Sequence, residues 1–181
     1  ALQNNHVMDH GETGLKETKA ALEGAGIVWS DANSMGVYQV HGVSIAMLSY
    51  QQYREMVEEL LVKVPLDVAR AKAEHDIVIV SFHWGDELDY KPNVNQIKLG
   101  RLTIDAGADL VLGHHSHRIN PIEEYQGKYI VYSLGNFSFS GNNKHGPAEP
   151  RIADAGMDVG FDAACQAERK PPQDDVDHVA V

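Results

Sequence analysis

Apolar residues recur in two rhythms along this chain. Over residues 12–24, Leu15, Thr18, Ala21 and Leu22 share one side of a 3.6-residue period, with Glu and Lys on the others. That pattern predicts a helix stopped by Gly24 and Gly26. Residues 53–64 repeat it through Met56, Leu60, Leu61 and Val64. Pro65 sits where a helix restarts, and the pattern runs on to Glu74. A third helix is predicted over 94–106, ended by Gly107. The other rhythm is extended. Residues 27–29 read as a short strand, and 37–40 and 43–48 flank His41-Gly42 as a hairpin. Ile77-Val78-Ile79-Val80 is an unbroken β-branched run, which suits a parallel strand covered on both faces. Leu110-Val111-Leu112 is the next buried strand. Residues 119–125 and 129–133 predict a second hairpin around Gln126-Gly127-Lys128. Strand, helix, strand in succession places the chain in the α/β class.

The rhythm stops near Gly141. Residues 143–181 are rich in Ala, Asp and Pro and read as a peripheral or poorly ordered tail, so residues 1–142 form the predicted domain. The 181 residues suffice for one sizeable core. A net charge of −11 with no basic patch argues against nucleic acid as a partner. The single cysteine, Cys165, excludes an internal disulfide and has no paired histidine to make it a nucleophile.

The chemistry lies at strand ends. Leu112-Gly113 leads into His114-His115-Ser116-His117, and the 77–80 strand leads into His83-Trp84-Gly85. Open α/β sheets place ligands beyond the carboxyl ends of their strands, and imidazole is the commonest transition-metal ligand. His83, His115 and His117 are therefore candidate metal ligands. His114 is either a neighbour of the site or inert. Asn5-His6 adds an amide oxygen for a metal and an imidazole for proton transfer. Asp9 reads as a local turn or cap residue. Glu87, flanked by Asp86 and Asp89, is placed to orient an imidazole or to sit in an exposed acidic loop. Gly135 allows a sharp turn, and Asn136 beside it reads first as a packing residue and second as a hydrogen-bonding partner of backbone or substrate. His10, His41, His75, His145 and His178 read as surface residues.

Four blocks carry a family resemblance: Asn4-Asn5-His6-Val7-Met8-Asp9-His10-Gly11; Ser81-Phe82-His83-Trp84-Gly85-Asp86-Glu87; residues 105–117; and Tyr132-Ser133-Leu134-Gly135-Asn136-Phe137. In this order they resemble the CapA or PgsA family of bacterial capsule proteins, linked to poly-γ-glutamate synthesis and export, within the calcineurin-like metallophosphoesterases. The resemblance implies an α/β/β/α sandwich holding two divalent metals, typically Mn, Fe or Zn. It implies Asn5, His83, His115 and His117 as ligands and His6 as a catalytic group, with Asp9 and Glu87 as further catalytic candidates. It also implies a location at the bacterial cell surface. The family carries acidic ligands upstream of the Asn pair. Here the chain begins three residues before it, so a fragment lacking its first strand or strands is expected.

Two functions follow from that resemblance. One is a metal-dependent hydrolase acting on a phosphoester or amide of an anionic polymer. The other is a non-catalytic component that binds or guides the polymer within a membrane capsule synthase, with Lys91, Lys98, Arg101 and Arg118 as the nearest cations.

Overall fold

The computed structural model describes residues 1–52 and 57–136. The elements run α1 (Gly11–Gly24), β1 (Gly36–Val40), β2 (Val43–Gln51), α2 (Val57–Glu74), β3 (Ile77–His83), α3 (Val94–Asp105), β4 (Leu110–His114), β5 (Ile122–Tyr125) and β6 (Lys128–Val131). They build one six-stranded mixed sheet in the order β1-β2-β3-β4-β6-β5. The four inner strands are parallel, and each edge strand is an antiparallel hairpin partner. Both hairpins turn on two residues with positive φ, His41-Gly42 and Gln126-Gly127, the backbone that matches strand twist. Lys128 thus belongs to β6, where it pairs with Tyr125, rather than to the turn.

The core lies on one face of the sheet. Ala46 and Tyr50 of β2, Val78, Val80 and Phe82 of β3, Val111 of β4 and Ile130 of β6 are all buried there. Helix α2 covers them with Val57, Leu60, Val64, Val68 and Ala71, spaced three or four apart along one stripe. Helix α3 adds Leu99 and Ile104. On the opposite face Ile45, Met47, Ile77, Ile79, Leu110 and Leu112 are only half-buried. Among the described residues, no helix is long and apolar enough to cross a membrane.

Three local expectations change. Pro65 lies inside a continuous α2 and marks no restart: Val64 and Val68 are both fully buried, and their packing carries the helix past the missing N–H. Residues 27–29 form no strand. The chain leaves α1 through Gly26 at φ +69, and the N–H of Ile27 donates to Leu22 O at 2.8 Å, closing the helix end instead of entering a ladder. Residues 119–121 join the sheet only through an isolated bridge, Ile119 to Leu134, so the strand proper starts at Ile122. The predicted tail, Cys165, His145, His178 and residues 53–56 lie outside the described residues.

Candidate functional site

Strands β3 and β4 end side by side, with His83 in register with His114. Alternation sends Phe82 and Gly113 to the helix-covered face and His83 and His114 to the other. The chain then turns sharply. After β3 it passes through Gly85 at φ +84, and after β4 through His115 and His117 at φ 102 and 59. A residue with a side chain held in such backbone costs on the order of 1–3 kcal/mol and persists only where its surroundings enforce it. Here a buried polar cluster does so. Ser116 Oγ lies 2.8 Å from Arg118 O and 3.0 Å from Ser133 Oγ. The Leu88 N–H donates to Ser116 O at 2.7 Å, and Asn120 Nδ2 donates to Asp89 O at 2.8 Å.

The N-terminal segment closes over these strand ends. The His6 N–H donates to Asn4 Oδ1 at 2.8 Å, curling residues 4–10 into consecutive turns. His6 Nδ1–H donates to Asp9 Oδ2 at 2.9 Å, which leaves Nε2 to accept from Asn5 Nδ2 at 3.2 Å. That orients the Asn5 amide so that its Oδ1 accepts from His83 Nε2 at 2.8 Å. The result is a hydrogen-bonded series, Asp9–His6–Asn5–His83. The ring of His115 stands 4.6 Å from that of His83, centroid to centroid. His117 Nδ1 faces Asn136 Oδ1 at 2.8 Å.

Burial pushes His83 down to about 3, and the neighbouring imidazoles of His115, His114, His117 and His6 add to the effect. His115 is also lowered, first by burial, with the carboxylates of Glu87 and Asp86 partly opposing it. Burial lowers His114 as well. These imidazoles are neutral at ordinary pH, the form in which histidine binds a metal.

Neutral imidazole nitrogen and amide oxygen form a donor set suited to Zn, Mn or Fe. Two ligands ~2.1 Å from one ion at the tetrahedral angle lie ~3.4 Å apart. The 2.8 Å between His83 Nε2 and Asn5 Oδ1 is shorter and is a hydrogen bond between the two side chains. Among the described residues, no three His, Cys, Asp or Glu are grouped closely enough to enclose an ion. The donor chemistry fits a borderline cation, while the set of side chains is open rather than closed around one.

Asn5, His6, His83, His115 and His117 therefore converge. Asp9 caps no helix: α1 begins after His10 with no side-chain cap bond, and the Asp9 carboxylate holds His6 instead. Glu87 is exposed and reaches the site through its field on His115. Asp86 accepts from Asn93 Nδ2 at 3.1 Å and so ties the loop after β3 to the start of α3. His75 is bonded to Ser44 Oγ at 2.7 Å, away from the site. Asn136 does more than pack, because its amide oxygen meets the His117 ring. Ser116, Asn120 and Ser133 were not legible as site residues, since only the fold brings them beneath the histidine turn. Their one signal is a polar type flanking buried strands.

A parallel-centred α/β sheet with histidines converging at its carboxyl edge defines the class: an α/β protein whose candidate site lies at the strand ends. Residues 1–141 match the family model described as bacterial capsule synthesis protein PGA_cap, and the chain belongs to that family. It is 42% identical over 156 residues to the PGA biosynthesis protein CapA of Bacillus subtilis (strain 168), covering 75% of this chain and 41% of that protein. It is 33% identical over 163 residues to the capsule biosynthesis protein CapA of Bacillus anthracis, covering 76% and 39%. The chain thus spans about two fifths of the length of these curated relatives. A solved structure, a hypothetical protein from Thermus thermophilus, superposes with a TM-score of 0.45 at 19% identity, over 73% of this chain and 51% of that one.

Proposed function

We propose that the chain acts in the biosynthesis of a poly-γ-glutamate capsule, and that its imidazole cluster is a divalent-metal site of hydrolase type. The observation that carries the second part is the meeting of His83, His115 and Asn5 at adjacent strand ends. Asn5, His83, His115 and His117 would hold the metal, a pair of Mn, Fe or Zn ions. Such a cation would polarise the substrate and bring the pKa of a bound water toward ~7. His6, its Nδ1–H held by Asp9, leaves Nε2 as a base that would take up a proton and, as imidazolium, pass it to the leaving group. The substrate is an anionic polymer with a phosphoester or amide bond. The setting is the outer side of the bacterial membrane beside capsule-synthase partners.

The fold extends the same reading. The apolar side chains left half-buried on the face opposite α2 and α3 suit a second sheet laid against the first. That arrangement is the calcineurin-like α/β/β/α sandwich.

A second reading is a polymer-guiding component without catalysis, for which the His83–Asn5 hydrogen bond is the working state of the site and no metal replaces it. Melting curves separate the two. Mn²⁺ or Zn²⁺ at a hundred times its Kd adds about 2.7 kcal/mol to the folded state, a rise of roughly 5–10 °C for a chain of this size. Replacing both His115 and His117 with Ala should abolish the rise. A wild-type curve indifferent to either metal supports the guiding role.

A further inference from the structure

We infer that Asn136 is a positioning residue for His117, holding its imidazole in the tautomer that leaves Nε2 unprotonated. The inference rests on the metal-site reading above and adds a residue to it. His117 Nδ1 and Asn136 Oδ1 are 2.8 Å apart. An amide oxygen only accepts, so in this pairing the proton sits on Nδ1 and the lone pair on Nε2. Neutral imidazole in water divides between two tautomers. A fixed acceptor at one nitrogen selects one of them, and partners of this kind set the orientation and basicity of ligating histidines.

The surrounding backbone delivers Asn136 to this position. Ser133 Oγ, 1% exposed as a residue, lies 3.0 Å from Ser116 Oγ and accepts from the Gly135 N–H at 3.2 Å. The hydroxyl that steadies the histidine turn therefore also steadies the turn that carries Asn136. The Leu134 N–H donates to Gly113 O at 3.0 Å, which locks that segment to the end of β4. Gly135 adopts φ +65, and a Cβ there would come within 3.0 Å of Ile119. Only glycine makes that bend without strain, and the bend aims the next side chain at His117. The His117 backbone is itself left-handed, so ring and amide are both presented from constrained positions.

The test uses the 181-residue chain, wild type, Asn136→Leu and Asn136→Asp. Leucine keeps the volume and removes the acceptor, while aspartate keeps an acceptor. Nitrogen-15 shifts of the imidazoles in metal-free protein report the tautomer directly. Wild type and Asn136→Asp should show His117 protonated at Nδ1, and Asn136→Leu a mixture or the opposite form. Zn²⁺ affinity by calorimetry should fall roughly 10–100-fold in Asn136→Leu and be restored in Asn136→Asp. A purely structural role would lower the melting temperature of Asn136→Leu and leave the nitrogen shifts unmoved. That result, or wild-type His117 protonated at Nε2, overturns the inference. Failure of wild type to bind Zn²⁺ sinks the metal reading instead, and the tautomer measurement still decides the role of Asn136.

Discussion

At Gly113 the sheet leaves no room for a side chain. A Cβ there would lie 2.0 Å from Tyr132 O and 2.5 Å from Trp84 Nε1, the group that donates to that same oxygen at 2.8 Å. Trp84 is fully buried and stacks on Phe82 with centroids 4.4 Å apart. Backbone cannot yield as a flexible side chain does, so Gly113→Ala should cost roughly 3 kcal/mol or more, the upper end of overpacking effects. Urea unfolding measures it, and a midpoint within error of wild type would refute the clash. The sequence marks this glycine only as the residue before three histidines. Its reason is a carbonyl nineteen positions away. The same holds across the site. His83, His115 and His117 stand out by type and by following apolar strands. Asn136, Ser116 and Ser133 are common residues whose meaning lies in contacts that only the folded chain makes.

Elements were legible where burial and period agree. Strands β3 and β4 and helix α3 follow from runs that admit one reading. Helix α2 differs at Pro65, because tertiary packing outweighs a local breaker, and residues 27–29 differ because an apolar run is no strand without a partner. Helix α3 starts at a capping box. Asn93 Oδ1 accepts from the N–H groups of Asn95 and Gln96, both at 3.1 Å, and Gln96 Oε1 accepts from the Asn93 N–H at 2.9 Å. Asn93 also donates to Asp86, and a Cβ at Gly85 would meet Gln96 at 2.6 Å, so this cap braces the loop beyond His83. Asn93→Ala should cost about 1 kcal/mol in stability. It should also raise hydrogen exchange over residues 85–92, because the brace is lost with the cap. Exchange confined to the first turn of α3 would show that the cap serves the helix alone.

For the molecule as a whole, the sheet has two ends with different work. The carboxyl end gathers imidazoles, and the other end is tied by ions. Asp109 accepts from Lys72 Nζ at 2.7 Å, Lys128 Nζ at 2.6 Å and the Val78 N–H at 2.9 Å, linking α2, β3, β4 and β6. Burial opposes its charge, but these donors, Lys128 foremost, prevail and hold the carboxyl at about 2 against an ordinary 3.8. A carboxyl lowered in the folded state stabilises fully above its unfolded value, and loses that contribution as pH falls from about 4 through 2. The stability difference between wild type and Asp109→Asn should therefore be constant from about pH 7 down to about 4.5 and shrink below it. A gap that stays level down to about pH 2 would show that the carboxylate charge is not its source. The α/β class was readable from strand order and the half-buried sheet face was not, because half-buried and buried β-branched residues look alike in sequence. The series from Asp9 to His83 has one more consequence. His83, Asn5 and His6 each donate toward Asp9, so the row has a polarity, and moving the His6 proton to Nε2 obliges the Asn5 amide to turn over and the His83 proton to leave Nε2. A substitution at Asp9 should therefore be felt as a swapped proton on a ring seventy-four positions downstream, read by the nitrogen-15 shifts of His83.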